Sequence, residues 1–117
     1  MKLEQARRLA MALPSVSEAP HFNYSSFRVG GKIFATVPPE GEHLHVFVEE
    51  EQRQLAIALE PESMEKLLWG KRVVGLRVSL AKAKAPLVKR LLEQAWSRKA
   101  PKRLLAAYRQ PSSQSAP

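Results

Sequence analysis

The stretch that decides the fold is residues 26–37, with the sequence SFRVGGKIFATV. Two runs rich in β-branched and aromatic residues, 26–29 and 32–37, are separated by Gly30 and Gly31. A two-residue hairpin turn requires positive φ values, which glycine adopts without steric cost. The stretch therefore predicts a β-hairpin whose register is set by its turn.

On either side of this hairpin, apolar residues recur with helical or strand spacing. Residues 1–13 show the three- and four-residue spacing of an amphipathic helix, whereas 42–48 and 72–80 alternate as strands do. Helices are also predicted over 49–60, 61–68 and 85–99, with one or two final helical turns over 102–108. Residues 15–24, which include Pro20 and several polar side chains, are predicted to form a connecting loop.

This order of elements predicts a two-layer α+β domain. Three consecutive strands with short links favour an antiparallel sheet, here of about four strands, with helices packed on one face and the other face partly open. A chain of 117 residues is long enough for one core. We expect a single domain over 1–109 and a disordered polar tail over 110–117.

The composition excludes several classes of site. Cysteine is absent and all 11 acidic residues are Glu, which excludes disulfides, thiolate catalysis, EF-hand loops and the usual two-metal phosphoryl-transfer sites. No apolar run has the length of a membrane-spanning helix. Glu4, Arg7 and Arg8 interrupt the N-terminal apolar pattern, so a signal peptide is not expected.

The net charge of +8 is distributed unevenly. Residues 1–65 contain 6 Lys or Arg and 10 Glu, whereas residues 66–117 contain 13 Lys or Arg and only Glu93. Such a division indicates a basic surface for a polyanion, and nucleic acid is the usual partner of such surfaces. The alternative is that these charges serve solubility alone.

The hairpin sequence over 26–36 resembles the signature of the MmcQ/YjbR family. The same family is suggested by weaker elements over about residues 3–108: Ala12-Leu13-Pro14, Val16, Glu18, His21, Leu76-Arg77-Val78, Leu91-Leu92, Ala95 and Ala100-Pro101-Lys102. This resemblance implies a CyaY-like fold, also described as a double-wing DNA-binding domain, in a small cytoplasmic bacterial protein. Frataxin-type members of that fold bind iron on an acidic ridge, which is not expected here because the first helix carries only Glu4 beside three cations.

Few residues favour a metal or catalytic site. His43 and His45 are two apart on a predicted strand and could share a metal with His21 or a Glu, but two polar residues on a half-exposed strand face are the favoured interpretation. No serine lies in a nucleophile elbow, and residues 30–32 lack the spacing of a phosphate loop. We expect neither a cofactor nor enzymatic activity. A deep pocket around His21 or His45 would favour an enzyme for a small anionic substrate instead.

Strand alternation groups several cations on the open face of the sheet. If Val29, Ile33 and Val74 face the helices, the open face carries Arg28, Lys32, Phe34, His43, His45 and Arg77. A register displaced by one residue would instead bury Phe34 in the core. Another basic group surrounds the last strand and helix: Lys71, Arg72, Lys82, Lys84, Lys89 and Arg90. Trp69 and Trp96 are expected to pack in the interior.

The sequence therefore predicts a small non-enzymatic protein that binds DNA mainly through phosphates. The alternative is an interaction module that docks an acidic protein partner; no membrane association is expected. The predicted nucleic-acid contacts are Arg28, Lys32, Phe34, Lys71, Arg72, Arg77, Lys82 and Lys84.

Overall fold

The computed structural model describes the backbone of residues 1–114 and the side chains of residues 1–108. It contains six strands and four helices in this part of the chain. In chain order they are α1 Leu3–Met11, β1 Val16–His21, β2 Tyr24–Val29, β3 Lys32–Val37, β4 His43–Val46, α2 Glu50–Leu59, β5 Met64–Trp69, β6 Arg72–Ser79, α3 Ala85–Lys99 and α4 Lys102–Gln114.

The strands form one antiparallel sheet in the order β1-β2-β3-β4-β6-β5. Helix α3 packs on β3 and β4, α1 packs on α3 and β1, and α2 packs on β5 and β6. The core between helices and sheet includes Phe27, Leu44 and Leu76 from the sheet, together with Leu91 and Trp96 from α3. The α+β class and the antiparallel sheet are thus confirmed, but the expected strand number of about four is too low.

The first additional strand is β1, which occupies most of the segment predicted to be a loop. Its residues pair with β2 from Val16 opposite Val29 to His21 opposite Tyr24. Pro20 weakens the local strand signal, yet proline is tolerated on an edge strand, where one side of the backbone has no partner. The loop prediction is wrong because the partner strand supplies hydrogen bonds that the local sequence does not indicate.

The other additional strand is β5, which replaces the short helix predicted over 61–68. The residues of Met64–Trp69 favour helices by intrinsic propensity, but here they pair with β6 through a turn at Gly70 and Lys71. Residue pairing across the sheet outweighs this weak preference, as commonly happens when tertiary context opposes propensity.

The turn between β2 and β3 forms as predicted, but a β-bulge follows it. Gly30 and Gly31 have φ values of 57° and 77°. Phe27 pairs with Ala35, whereas Arg28 pairs with Ile33, so Phe34 is the additional residue of β3. Phe34 and Ala35 are both fully buried, although they are neighbours in the strand.

This bulge reverses part of the predicted face assignment. Phe34 lies in the core and Ile33 lies on the open face, so the open-face placement of Phe34 is wrong and its alternative, burial in the core, is right. Val29 packs in the core as predicted. Val74, which is half-buried, lines the open face at a second irregularity, where Leu67 pairs with Gly75 and Leu68 with Val73, so that Val74 is the additional residue of β6. A one-residue irregularity exchanges the two faces of a strand, and alternation alone does not indicate where a bulge occurs.

None of the helices in the described part of the chain combines the length and the apolar character needed to cross a bilayer. Helix α4 continues to Gln114, into the segment 110–117 for which a disordered tail is expected. Residues 115–117 lie outside the described residues, and the predicted domain boundary at 109 stays a prediction.

Candidate nucleic-acid interface

A groove of about 1090 Å³ runs along the open face of the sheet. Its base is formed by side chains from the middle strands, including Ile33, Thr36, His45 and Arg77. Thr36, His45, Arg77 and Glu65 are successive cross-strand neighbours from β3 to β5, which places their side chains on one face. We call the groove on this face of the sheet the open-face groove.

The groove has an aromatic residue of high exposure at each end. Phe22, in the turn between β1 and β2, is 91% exposed, and Trp69, the last residue of β5, is 68% exposed. The ring of Phe22 contacts His21 edge to face at a centroid distance of 4.8 Å, and that of Trp69 contacts Phe47 at 6.5 Å. Trp69 was expected to pack in the interior, as Trp96 does, and its exposure corrects that expectation.

The groove lining carries an excess of positive charge. Two carboxylates, Glu49 and Glu50, face five cationic side chains, which are Arg53, Arg72, Arg77, Arg98 and Lys99. Arg53 and Arg98 each donate to a backbone carbonyl, that of Val48 at 2.7 Å and that of Phe47 at 2.6 Å.

Two of these five cations remain available to a ligand. Among the described side chains, neither Arg72 nor Lys99 lies within salt-bridge distance of a carboxylate. Arg72 begins β6 beside the exposed Trp69, and Lys99 ends α3. Their charges can therefore contact a bound anion without breaking an ion pair.

At the centre of the groove, Arg77 of β6 is held by residues of the two neighbouring strands, β4 and β5, and of the loop before β4. Its Nη1 donates to His45 Nε2 at 2.9 Å, and its Nη2 lies 3.2 Å from His43 Nδ1. The Arg77 Nε lies 3.4 Å from a Glu65 carboxylate oxygen, and Nη2 lies 3.9 Å from Glu40. The guanidinium is thus a positioned positive charge, with donors fixed before any ligand binds.

His45 is neutral at physiological pH because of this environment. Burial of the ring and the adjacent Arg77 charge lower the pKa of His45 to about 4. An arginine can only donate, so Nε2 of His45 accepts and the proton of the neutral ring is on Nδ1. His43 and His45 therefore bind Arg77, and the described residues contain no group of three His, Cys, Asp or Glu side chains able to hold a metal ion.

A family model described as YjbR matches residues 11–98, which include the groove residues from the first hairpin to Arg98. The chain belongs to the YjbR family. This confirms the resemblance seen in the hairpin sequence. A crystal structure of Deinococcus radiodurans protein DR2400, described as a DUF419 domain, is similar with a TM-score of 0.72. It is 19% identical, and the match covers 94% of this chain and 86% of that one, a likeness that concerns the fold. The sequence matches no curated protein.

The YjbR domain brings only two of the eight predicted contact residues, Arg72 and Arg77, into the open-face groove. Lys71 lies next to Arg72 in the turn before β6. Arg28 lies on β2, where its side chain donates to Ser26 Oγ and to the carbonyl of Pro20.

The remaining predicted residues lie elsewhere in the domain. Lys32 pairs with the buried Val29 at the hairpin end and does not line the groove. Lys82 and Lys84 lie in the loop that leads into α3, and Phe34 lies in the core. The predicted set is therefore not one surface, because the bulge in β3 and the ends of the strands separate its members.

Sequence reasoning missed most of the groove residues. Phe22, Phe47, Arg53, Arg98 and Lys99 line it, yet they come from a turn, a strand end and the ends of two helices. Only Phe47 carried a usable signal, since it alternates with His43 and His45 along the predicted strand 42–48 and so shares their face. The other residues are brought together only by the tertiary fold. In the sheet β4 pairs with β6, and α2, which follows β4 in the chain, packs on β6 and the edge strand β5.

Proposed function

We propose that this protein binds DNA without enzymatic activity, and that the open-face groove contacts mainly the phosphate backbone. The observation that carries the proposal is the groove lining, in which five cations and two carboxylates accompany exposed aromatic rings. Arginine and lysine on phosphates release condensed counterions, and this release drives sequence-independent binding. A CyaY-like, double-wing arrangement and a cytoplasmic location, both implied by the family resemblance, agree with this role.

The hydrogen bonding of His45 does not favour catalysis at the centre of the groove. His21 and His45 both line it, but Nε2 of His45 already accepts from Arg77. That nitrogen is unavailable as a general base while the hydrogen bond persists. The chain also has no Asp or Cys to supply the other members of a common hydrolytic site.

The dependence of DNA affinity on salt tests the proposal. Each phosphate contact contributes about 0.7 to 0.9 to the slope of log affinity against log salt concentration. The double variant R72Q/K99Q removes two groove cations without breaking an ion pair, and the slope should fall by about 1.4 to 1.8. Fluorescence anisotropy of labelled DNA at several salt concentrations measures this slope.

The matched control removes one lysine and one arginine that lie outside the groove. Lys89 and Arg90 are exposed on α3 and do not line the groove, so K89Q/R90Q should leave the slope close to that of the unmodified protein. Equal losses in the two double variants would show that binding depends on general charge and not on the groove. No binding at low salt would contradict the proposal altogether.

An acidic protein partner is the competing function, because the exposed Leu68 and Trp69 beside cations also suit a protein surface. Polyglutamate supplies the negative charge without phosphates or bases. If polyglutamate displaces labelled DNA at equal charge concentration, the acidic-partner function is favoured. If it displaces DNA only at large excess, DNA binding is favoured.

A further inference from the structure

The exposed aromatic rings at the two ends of the groove indicate which form of nucleic acid it takes. We propose that the open-face groove binds a single-stranded segment, with bases stacked on Phe22 and Trp69 and phosphates on the cations between them. This inference rests on the proposed function and adds the strand type to it.

The two rings lie at opposite corners of the sheet. Phe22 is in the turn at the β1 edge, and Trp69 ends β5, the strand at the other edge. Six strands have five spacings of about 4.8 Å, so the edges are separated by about 24 Å. His21 pairs with Tyr24 at the end of the sheet where β5 begins, whereas Trp69 pairs with Arg72 at the end where β5 stops. A ligand that contacts both rings therefore crosses the face diagonally.

The exposure of these rings lacks a reason within the fold. Phe22 has φ of 58°, a left-handed conformation that is unfavourable for a bulky residue, and nevertheless places its ring in solvent. Neither ring gains the stabilisation of burial, and each is oriented by an edge-to-face contact with one aromatic neighbour. Backbone strain without a gain in packing is typical of residues whose position serves a ligand.

The chemistry of the groove distinguishes a single strand from a duplex. An unpaired base offers its face to an aromatic ring, whereas the bases of a duplex are already stacked on one another. Arg77 lies on the base of the groove between the rings, Arg72 pairs with Trp69 at one end, and Lys99 also lines the groove, so cations accompany the aromatic residues across the face. A basic groove with aromatic platforms is the arrangement that binds single strands with little sequence preference.

Fluorescence titration tests the inference on the unmodified protein. Trp69 is exposed and Trp96 is fully buried, so stacking should quench the solvent-exposed emission and leave the buried component unchanged. The probe is an oligothymidylate of about 12 nucleotides, within the range of about 4 to 16 that comparable grooves cover. We expect quenching with this probe, an affinity at least about tenfold higher than for a duplex of equal length, and similar behaviour with oligouridylate.

Substitutions of the two aromatic residues provide a second test of the inference. F22A and W69A should each weaken oligothymidylate binding by about 5-fold to 150-fold while leaving duplex binding unchanged. L59A is the matched control, because Leu59 is an apolar side chain that is 57% exposed and does not line the groove, so this variant should bind oligothymidylate as the unmodified protein does. W69F, which keeps a ring, should retain most of the affinity.

The outcomes separate this inference from the proposed function. Equal affinity for single strand and duplex, with no effect of F22A or W69A, would overturn the single-strand inference and leave DNA binding intact. Failure to bind either form would overturn both. A concentration-dependent dimer that quenches Trp69 without nucleic acid would show that the rings cover a second copy of the chain, and the inference would again fail.

Discussion

Arg77 donates to Nε2 of His45 over 2.9 Å, and the two residues are direct neighbours in the antiparallel pairing of β4 and β6. The same guanidinium approaches His43 on β4 and Glu65 on β5. Three strands thus hold one positive charge on the base of the open-face groove. A cation fixed in this way loses less conformational entropy when it binds a phosphate than a mobile side chain does.

The first prediction concerns stability at acid pH. Burial and Arg77 lower the pKa of His45 to about 4, whereas an unfolded chain has an ordinary histidine pKa of about 6.5. Between these values the unfolded chain binds more protons, so the stabilising effect of neutral His45 is complete above pH 6.5 and is lost as pH falls towards 4. The free energy of unfolding should decrease by up to about 1.4 kcal/mol per pH unit in this window.

Urea unfolding of H45Q checks this prediction. Glutamine retains an oxygen that can accept from Arg77 but cannot be protonated, so the variant should lose stability less steeply between pH 6.5 and 4. The difference between the two profiles isolates His45 from the carboxylates that titrate in the same range. Parallel profiles would show that His45 titrates normally in the folded protein.

The second prediction concerns the bulge in β3. Phe34 is fully buried, so F34A should destabilise the fold by about 3 to 5 kcal/mol, mainly through a cavity. Ile33 lines the groove, and I33A should cost no more than about 2 kcal/mol. Chemical denaturation of both variants measures the difference. A larger loss for I33A would support the regular register without the bulge.

The third prediction concerns the close approach of β4 and β6. A Cβ added to Gly75 would overlap the carbonyl oxygen of Val46 and lie 3.1 Å from its carbonyl carbon. Because backbone cannot move aside as a side chain does, G75A should cost about 3 kcal/mol or more. Gly70 offers a control, since a Cβ there meets nothing and its φ of 61° should cost only about 1 to 2 kcal/mol in G70A. Similar melting temperatures for the two variants would contradict this packing.

The fourth prediction concerns the hairpin turn. Gly31 has φ of 77°, and a β-branched residue is strongly disfavoured at such values. G31V should therefore lower the melting temperature clearly, whereas G31N should lower it less because asparagine tolerates the left-handed region. A Cβ at this position meets no atom within 4 Å, so the difference reports backbone strain and not a clash. An unchanged melting temperature in G31V would contradict the turn.

The sequence-based predictions are accurate for elements that form through interactions between residues close in the sequence. They are inaccurate for elements that need a partner far away in the sequence. The helix predicted over 85–99 matches α3, and the hairpin turn occurs at Gly30 and Gly31, because side-chain periodicity and glycine geometry act within a few residues. The strand predicted over 72–80 also agrees with β6 to within one residue. In contrast, β1 and β5 form only because a partner strand pairs with each, and that partner lies outside any local pattern.

The candidate site was predicted less well than the fold. The excess of cations after residue 65 predicts a basic surface, and four of the five groove cations come from that part of the chain. Alternation correctly groups His43, His45 and Arg77 on one face. It could not place Phe34, since a bulge of one residue changes the face of every residue beyond it. Strand alternation also could not indicate that Phe22 and Trp69 line the same groove. They are 47 positions apart in the sequence, and only the pairing of the strands brings them to one face.

The sequence by itself therefore determined the α+β class, the Gly-Gly hairpin, helix α3 and the excess of positive charge in the second half of the chain. These properties depend on local backbone preferences and on charge, which need no knowledge of distant residues. Tertiary structure alone decided the six-strand order, the burial of Phe34 and the groove between Phe22 and Trp69. Each of these depends on which strands pair and in what register, and that choice minimises the free energy of the whole chain rather than of any segment.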